Sequence, residues 1–519
     1  MAEGHSGAGI AEDYLHRPYV VFPNRKRRRH STPDVPHQPW GEAEGDACLE
    51  LTSRLPQYSC YIRQVPAAAT LFTTQLRMNP RELHRVRPHQ RDAVEALVDP
   101  TTECFLSGCV VLPCGSGKTL VGVLAATVMR RRTLVVCATL EQVEQWERQV
   151  LRWTLLPREL VFRCGSAARP DDDLQDAAVV LATYHWLSGS REAAGANARV
   201  RRAVFAKTYG LLLMDEVHKL PATAYRHIPS RIHSSWRVGL TADLSREAEE
   251  EHVILSSVGP VRSRVSVARL VHLRVIARVQ LVQVLVPLPR GFSRVVLDTL
   301  KHKDLHRLLI LLNPYKFCYL RSLIHLVEHK QRQKLLVMFE EVLHLQVFAV
   351  ACRRPWACGK NEGREATVQD FQHSAAPRTL LVSRISDTGL DVPDLAYCLQ
   401  LDGLGGSRQQ EVQRVGRVQR YKSDGRTSEF HTVVTKCPNC PELGYSQHRN
   451  AHLQEQGYTL RQVPPQTVLR PIPAPLNARL ANFARQLDHK LSTELREAVN
   501  KWILEVYPDL LRALPFQEL

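Results

Sequence analysis

Apolar runs of four to eight residues alternate along this chain with stretches whose apolar positions recur at helical spacing. Asp92–Val98 reads as a helix, followed by a turn at Asp99-Pro100. Val110–Val128 reads as strand, small-residue loop and helix in immediate succession. Thr133–Ala138 predicts a strand, Leu140–Trp153 a helix, Ala177–Thr183 and Gly210–Met214 two more strands, and Trp236–Leu240 a short one. Residues 244–315 are mixed, with β-branched Val271–Leu288 predicting one or two strands that lead away. A second series follows: strands at Lys334–Phe339, Thr379–Ser383 and Tyr397–Leu401, a helix at Ser407–Arg420, and a strand at Glu429–Thr435. Short apolar strands between helices imply parallel sheets covered on both faces, in two α/β units joined by a connector. Pro-rich Val463–Pro475 sets off a last helical segment, Leu476–Leu514, and no solenoid repeat is visible.

The expected boundaries are an N-terminal extension over 1–80, a first α/β domain over 81–262, a connector over 263–315 and a second domain over 316–463. A Pro-rich linker with the C-terminal helical segment covers 464–519. At 519 residues the chain exceeds one hydrophobic core. No apolar stretch approaches the ~20 residues of a membrane span, and the first 30 residues lack a signal-peptide core. With thirteen scattered cysteines, the chain is expected to be made and kept inside a cell, with reduced thiols and no membrane partner.

Charge changes the picture. Lys and Arg exceed Asp and Glu by 17, the balance expected beside polyphosphate. Arg25-Lys26-Arg27-Arg28-Arg29-His30 is a compact basic run that suits a nuclear import signal, a phosphate-gripping tail or a solvated loop.

Three constellations carry chemistry. In the loop of Val110–Val128, Gly115, Ser116 and Gly117 let backbone N–H groups close around phosphate oxygens at a helix N-terminus. Lys118 would reach the β- and γ-phosphates and Thr119 would ligate Mg²⁺, although Leu112 stands where the strict pattern has glycine. Leu211–His218 is a buried strand ending in two carboxylates, Asp215 to position Mg²⁺ and Glu216 to orient and deprotonate water. In Gln413–Arg420, helical spacing places Gln413, Arg417 and Arg420 on one face, with guanidinium groups suited to a transferring phosphoryl group.

Together these pieces resemble a superfamily 2 helicase, and within it the XPB family of DNA helicase/translocases, which includes the subunit of the transcription and repair factor TFIIH. The resemblance runs in order from about residue 85 to 463. Arg87-Pro88-His89-Gln90 is similar to the Q-motif, Pro113–Thr119 to motif I, Val143-Glu144-Gln145-Trp146 to motif Ia and Thr183-Tyr184 to motif Ib. Asp215-Glu216-Val217-His218 is similar to motif II, and Asn313–Phe317 to the start of the second lobe. Ser383 with Asp387–Pro393 resembles motif V, and Gly405–Glu411 leads into motif VI. Tyr445-Ser446 and Gln456–Tyr458 fit the family's closing segment.

The resemblance implies two tandem RecA-like domains, parallel sheets flanked by helices, with N- and C-terminal extensions and ATP in the cleft between the lobes. It assigns Gln90 to adenine and Asp391 to ribose. Thr183, Ser383, Gly389 and Arg408 fall to the nucleic-acid backbone, and His218, Thr241, Asp243 and Gln413 to coupling. Lys118, Asp215, Glu216, Arg417 and Arg420 are the catalytic set, with ATP and Mg²⁺ as cofactors. The expected activity is nucleic-acid-stimulated ATP hydrolysis driving 3′ to 5′ movement on DNA, single-stranded or duplex and junction, in transcription, repair or replication. Partners in a transcription or replication complex and a nuclear location follow from the same likeness.

Departures open alternatives. Motif III is Thr241-Ala242-Asp243, where the family usually has a second Thr, and an aspartate can accept from His218 but not ordinarily donate. Arg246-Glu247-Ala248 lacks the last acid of an Arg-Glu-Asp element, and the family's large N-terminal region has no counterpart of adequate length. A compact, divergent copy encoded by a large DNA virus, acting in the host nucleus, would explain these losses. A duplex translocase or RNA-directed motor without strand separation is the first rival, and a non-catalytic scaffold the second. Cys437, Cys440, His448 and His452 have ligand types for Zn²⁺ at unusual spacing, and Cys352 with Cys358 is a weaker pair.

Overall fold

The computed structural model describes residues 76–101, 104–165, 173–189, 196–244, 248–298, 303–359, 363–383, 392, 394–402, 408–436, 441–464, 469–491 and 496–519. Most of the expected N-terminal extension, including Arg25–His30, lies outside these residues. So do Arg246-Glu247, Gly389, Asp391 and Cys437–Cys440. The chain divides into two compact units, one running to Pro113 and over Gly117–Val265, the other holding Cys114–Ser116 and Ser266–Leu519.

The first unit is built on a parallel sheet of seven strands: β1 (Gly108–Val111), β2 (Thr133–Cys137), β3 (Val161–Arg163), β4 (Val179–Thr183), β5 (Thr208–Asp215), β6 (His233–Thr241) and β7 (Val261–Arg264). Their order is β3-β4-β2-β5-β6-β1-β7, with every pairing parallel. Strands β1, β2 and β4 are buried along their whole length, which explains why they read as continuous apolar runs rather than alternating ones. Helices α1 (Pro88–Glu95), α2 (Lys118–Met129) and α3 (Leu140–Trp153) belong to this unit. The strand expected at Trp236–Leu240 runs the longer course of β6, because Ser234 and Ser235 are buried in it despite their polarity.

The second unit holds β8 (Val279–Pro287), β9 (Leu335–Met338), β10 (Trp356–Ala357), β11 (Thr379–Val382), β12 (Tyr397–Gln400), β13 (Ser428–Lys436) and β14 (Thr459–Val463). They form a second parallel seven-stranded sheet in the order β10-β11-β9-β12-β13-β8-β14. Counted from its own first strand, each sheet has the order 3-4-2-5-6-1-7. The two units therefore repeat one topology, the tandem RecA-like arrangement the motifs implied.

Two expectations are corrected here. Val271–Leu288 does not lead away from the domains: it contains β8, which lies between β13 and β14 with Val282, Val284 and Val286 buried. The segment 263–315 is thus no mere connector, because it supplies a strand to the second sheet. The terminal helices α9 (Ala474–Leu491) and α10 (Arg496–Arg512) likewise join the core of this unit rather than standing beyond it. Phe483 lies 6.4 Å from Phe292 and 4.4 Å from Tyr507, ring centre to ring centre. Four further helices of this unit matter below: α5 (Pro314–His325), α6 (Val342–Cys352), α7 (Arg408–Gly416) and α8 (Pro441–Glu455), α4 (Arg290–Asp298) being the one that carries Phe292.

Candidate active site

The loop between β1 and α2 takes the shape its glycines permit. Gly115 has φ +76° and Gly117 φ +87°, left-handed conformations that side chains resist, so the chain turns sharply and starts α2 at Lys118. A Cβ on Gly117 would run into the Gln90 amide nitrogen, which places Gln90 against the loop. The Gln90 Oε1 accepts from the Arg87 N–H at 3.0 Å, capping α1. Lys118 and Thr119 are half-buried at the first turn of α2.

Asp215 closes β5, and Glu216 follows in a left-handed conformation, φ 49° and ψ 51°, uncommon for a residue with a side chain. Asp215 Oδ1 accepts from the Glu216 N–H at 3.0 Å, and Oδ2 from the Trp146 indole N–H at 2.7 Å. The Tyr184 hydroxyl donates to the Asp215 carbonyl at 3.0 Å. Burial first, and the Glu216 charge second, push Asp215 up to about 6. Burial pushes Glu216 upward too, but Lys118 and the His218 hydrogen bond outweigh it and hold Glu216 low. Lys118 and His218 thus favour the ionised form of Glu216.

His218 Nδ1 lies 3.3 Å from Glu216 Oε2 and 3.1 Å from Thr241 Oγ1. The Thr241 hydroxyl spends its one proton on the Asp243 carbonyl at 2.6 Å, so it must accept from the His218 ring. This fixes the proton on Nδ1. The expected role of the Asp243 carboxylate toward His218 is therefore corrected: Thr241 meets the histidine, and Asp243 contributes its backbone carbonyl and N–H.

Thr183 is an N-cap, its hydroxyl accepting from the Trp186 N–H at 3.0 Å. Thr139 caps α3 in the same way, accepting from Gln142 at 3.3 Å. Hydroxyls and helix starts thus coincide at both motifs.

In the second unit the arginine motif departs from the helical expectation. Helix α7 ends at Gly416, and Arg417, Val418 and Gln419 donate to the carbonyls three residues back. Arg420 pairs with Ile276 in an isolated bridge. Arg417 and Arg420 therefore leave a tight turn, not a shared helical face with Gln413. Arg414, which the motif did not single out, is buried and meets Glu340 at 3.2 Å. Ser383 is buried after β11, its N–H donating to the Ala357 carbonyl at 3.2 Å, and Arg408 is exposed at the start of α7.

A hard-oxygen site is what Thr119, Asp215 and bound phosphates could offer, which fits Mg²⁺ held through few protein ligands. Among the described residues no cluster of three or more His, Cys, Asp or Glu could hold a metal on its own. Cys352 and Cys358 are free thiols, and no described helix is long and apolar enough to cross a membrane.

The family model for the ERCC3/RAD25/XPB C-terminal helicase matches residues 270–488, and that for the type III restriction enzyme res subunit matches residues 83–246. The chain is 32% identical over 363 residues to the general transcription and DNA repair factor IIH helicase/translocase subunit XPB of Drosophila melanogaster, covering 68% of this chain and 44% of that one. It is 31% identical over 432 residues to the DNA repair helicase/translocase XPB-R of Trypanosoma brucei brucei, covering 72% of this chain and 55% of that one. The chain spans about half the length of the curated relatives it matches. Among solved structures, S. cerevisiae Dbp5 bound to RNA and ADP BeF3 aligns with TM-score 0.52 at 12% identity, over 79% of this chain and 98% of that one. The type ISP restriction-modification enzyme LlaBIII bound to DNA aligns with TM-score 0.53 at 13% identity, over 73% and 31%. These two likenesses concern the fold alone.

Proposed function

The chain belongs to the superfamily 2 helicases as an XPB-like member, and on that footing we propose that it is an ATP-dependent DNA helicase or translocase. The observation that carries the reading is the pair of buried carboxylates at the end of β5: Asp215 is held by the Trp146 indole and the Glu216 N–H, and Glu216 lies 3.3 Å from His218 Nδ1. In this reading the loop amides of Gly115–Gly117 and Lys118 bind the β- and γ-phosphates, and Gln90 orients the base. Thr119 and Asp215 would hold Mg²⁺, which neutralises phosphate charge when bound. Glu216, kept ionised, orients the attacking water and takes its proton. Arg417 and Arg420 stabilise charge on the transferring group, and Asp391 meets the ribose.

Thr183, Ser383, Gly389 and Arg408 serve the nucleic-acid backbone, so binding is weakly sequence-specific and falls with salt. The His218–Thr241 hydrogen bond passes the state of Glu216 onward, with Gln413 on the second unit. Movement 3′ to 5′ and a nuclear setting are proposed on the family resemblance alone, and a place in transcription or repair on the names of the XPB relatives. The test is ATP hydrolysis by the purified protein with and without single-stranded DNA, beside Lys118→Ala. DNA-stimulated turnover lost in K118A is expected; an unstimulated parent, or equal activity in the mutant, refutes the motor. Strand displacement and triplex displacement, run in parallel, separate unwinding from translocation on duplex.

A further inference from the structure

Trp146 ends the segment that resembles motif Ia, and its side chain turns inward to the Asp215 carboxylate. It is 1% exposed, and its indole N–H meets Asp215 Oδ2 at 2.7 Å. The other oxygen, Oδ1, is held by the Glu216 N–H at 3.0 Å. One donor on each oxygen fixes the plane of the carboxylate while leaving further lone pairs on both. The indole also has a purpose-shaped seat. A Cβ on Gly122, midway along α2, would come within 2.5 Å of the Trp146 ring and 2.8 Å of Leu213 on β5. Glycine inside a helix costs stability, so its presence where the ring lies closest suits a ring that must reach past α2 to β5.

A buried indole N–H needs a partner, but a backbone carbonyl would have satisfied it. Bonding to a carboxylate is stronger and makes the orientation of that carboxylate depend on the ring. We propose that Trp146 is a positioning residue for Asp215: its N–H holds the carboxylate in the orientation that receives Mg²⁺ beside the nucleotide. The proposal rests on the nucleotide reading above and adds to it a residue that touches neither phosphate nor metal. It also gives α3 a direct hydrogen bond into that site from seven residues beyond its Thr139 cap.

Calorimetric binding of ADP, titrated at a series of Mg²⁺ concentrations, tests this in the full chain. Trp146→Phe keeps the aromatic wedge and loses only the donor. The Mg²⁺ concentration for half-maximal tightening of ADP should rise about tenfold in W146F, as expected for a lost hydrogen bond to a charged group. ADP affinity without Mg²⁺ should stay within about twofold, since the phosphate loop is untouched. In an Asp215→Asn background W146F should change nothing further.

An unchanged Mg²⁺ requirement in W146F overturns the proposal. So does an equal loss with and without Mg²⁺, which would make the ring a packing wedge. If the parent binds no ADP at all, the nucleotide reading itself falls, and this result is distinct from a parent that binds ADP and a W146F that does so identically. Should W146F melt far below the parent, 5-fluorotryptophan labelling of the parent serves instead. The Trp146 resonance, assigned by substituting the other six tryptophans, should move when Mg²⁺ is added to the ADP complex, and an unmoved resonance overturns the proposal.

Discussion

Lys316 offers the sharpest test of how the second unit is held together. Its ammonium is fully buried, donating to Glu442 Oε1 at 2.6 Å and to the Leu401 carbonyl at 2.8 Å, while Glu442 Oε2 accepts from the Thr435 N–H at 2.9 Å. One cluster thereby ties α5, the end of β12, β13 and the start of α8. Lys316→Met fills the space and removes the charge. A buried carboxylate left without its cation can escape by taking up a proton, which at pH 7 costs a glutamate about 3.7 kcal/mol from its reference value. That sets a ceiling on the charge penalty, and the orphaned Leu401 carbonyl adds about 1 kcal/mol. A loss of about 3–5 kcal/mol is therefore expected, in the range for breaking buried pairs. Lys316→Met combined with Glu442→Gln should recover most of the charge portion, because nothing ionised is then stranded. Hydrogen exchange of the full chain, read on peptides covering β12 and β13 through a urea series, measures this locally. A K316M loss below about 1 kcal/mol, or a double variant no better than the single one, would refute the account of the pair.

Thr241→Val removes the hydroxyl between His218 and the Asp243 backbone while keeping its shape; DNA-stimulated ATPase should fall about three- to tenfold, the worth of one hydrogen bond, with the KM for ATP little changed. Equal loss of basal and stimulated rates would deny Thr241 a coupling role. Gly117→Ala must hold a left-handed backbone and press on the Gln90 amide; the melting midpoint should drop by the equivalent of about 1–2 kcal/mol, and ADP affinity should drop with it. Asp215 is an acid whose folded value is raised, from 3.8 to about 6, so the stability it contributes is present below the unfolded value and lost as pH rises through the folded one. In buffer without nucleotide or Mg²⁺, Asp215→Asn should raise the melting midpoint more at about pH 7.5 than at about pH 4.5, and an equal gain at both would contradict the assignment.

What could be read in the sequence was what short spacing determines. GSGKT at 115–119 needs only local backbone geometry, and the glycine φ values have the sign it requires. The apolar runs of β1, β2, β4 and β9 were legible because burial on both faces leaves no polar alternation to confuse them. Contacts made by distant residues were not legible. The place of β8 depends on β13 and β14, some 150 and 180 residues later, and periodicity carries no record of that. The end of α7 was missed because Arg417–Arg420 continues the helical spacing, while i→i+3 bonds and the Ile276 bridge take over after Gly416. The contact of Trp146 was equally illegible, since nothing in Val143–Trp146 tells that the indole reaches a residue 69 positions away.

The repeated strand order shows how one topology yields two different sites. The fifth strand of the first sheet, β5, ends at Asp215; the fifth of the second, β12, is followed at once by Leu401-Asp402. Both positions carry a buried aspartate, but their surroundings use it in opposite ways. Asp402 accepts from the Glu340 N–H at 2.6 Å and the Glu341 N–H at 3.1 Å, closing the start of α6. Burial would raise it, yet the His344 contact and these backbone donors hold it below the usual carboxylate value. Asp402 is thus engaged by its own fold, whereas each Asp215 oxygen takes a single donor, the Glu216 N–H on Oδ1 and the Trp146 indole on Oδ2. The first strands diverge in the same sense. After β1 come Leu112–Gly117, long and glycine-rich enough to wrap a phosphate; after β8 only Leu288-Pro289 precede α4, with no room for a loop of N–H donors. These two differences are what the proposed nucleotide chemistry would use. In the second unit the turn that carries Arg417 and Arg420 follows α7, whose buried Arg414 pairs with Glu340 in the segment capped by Asp402. Weakening that pair should therefore lower turnover without lowering ADP affinity, the opposite of a lesion in the phosphate loop.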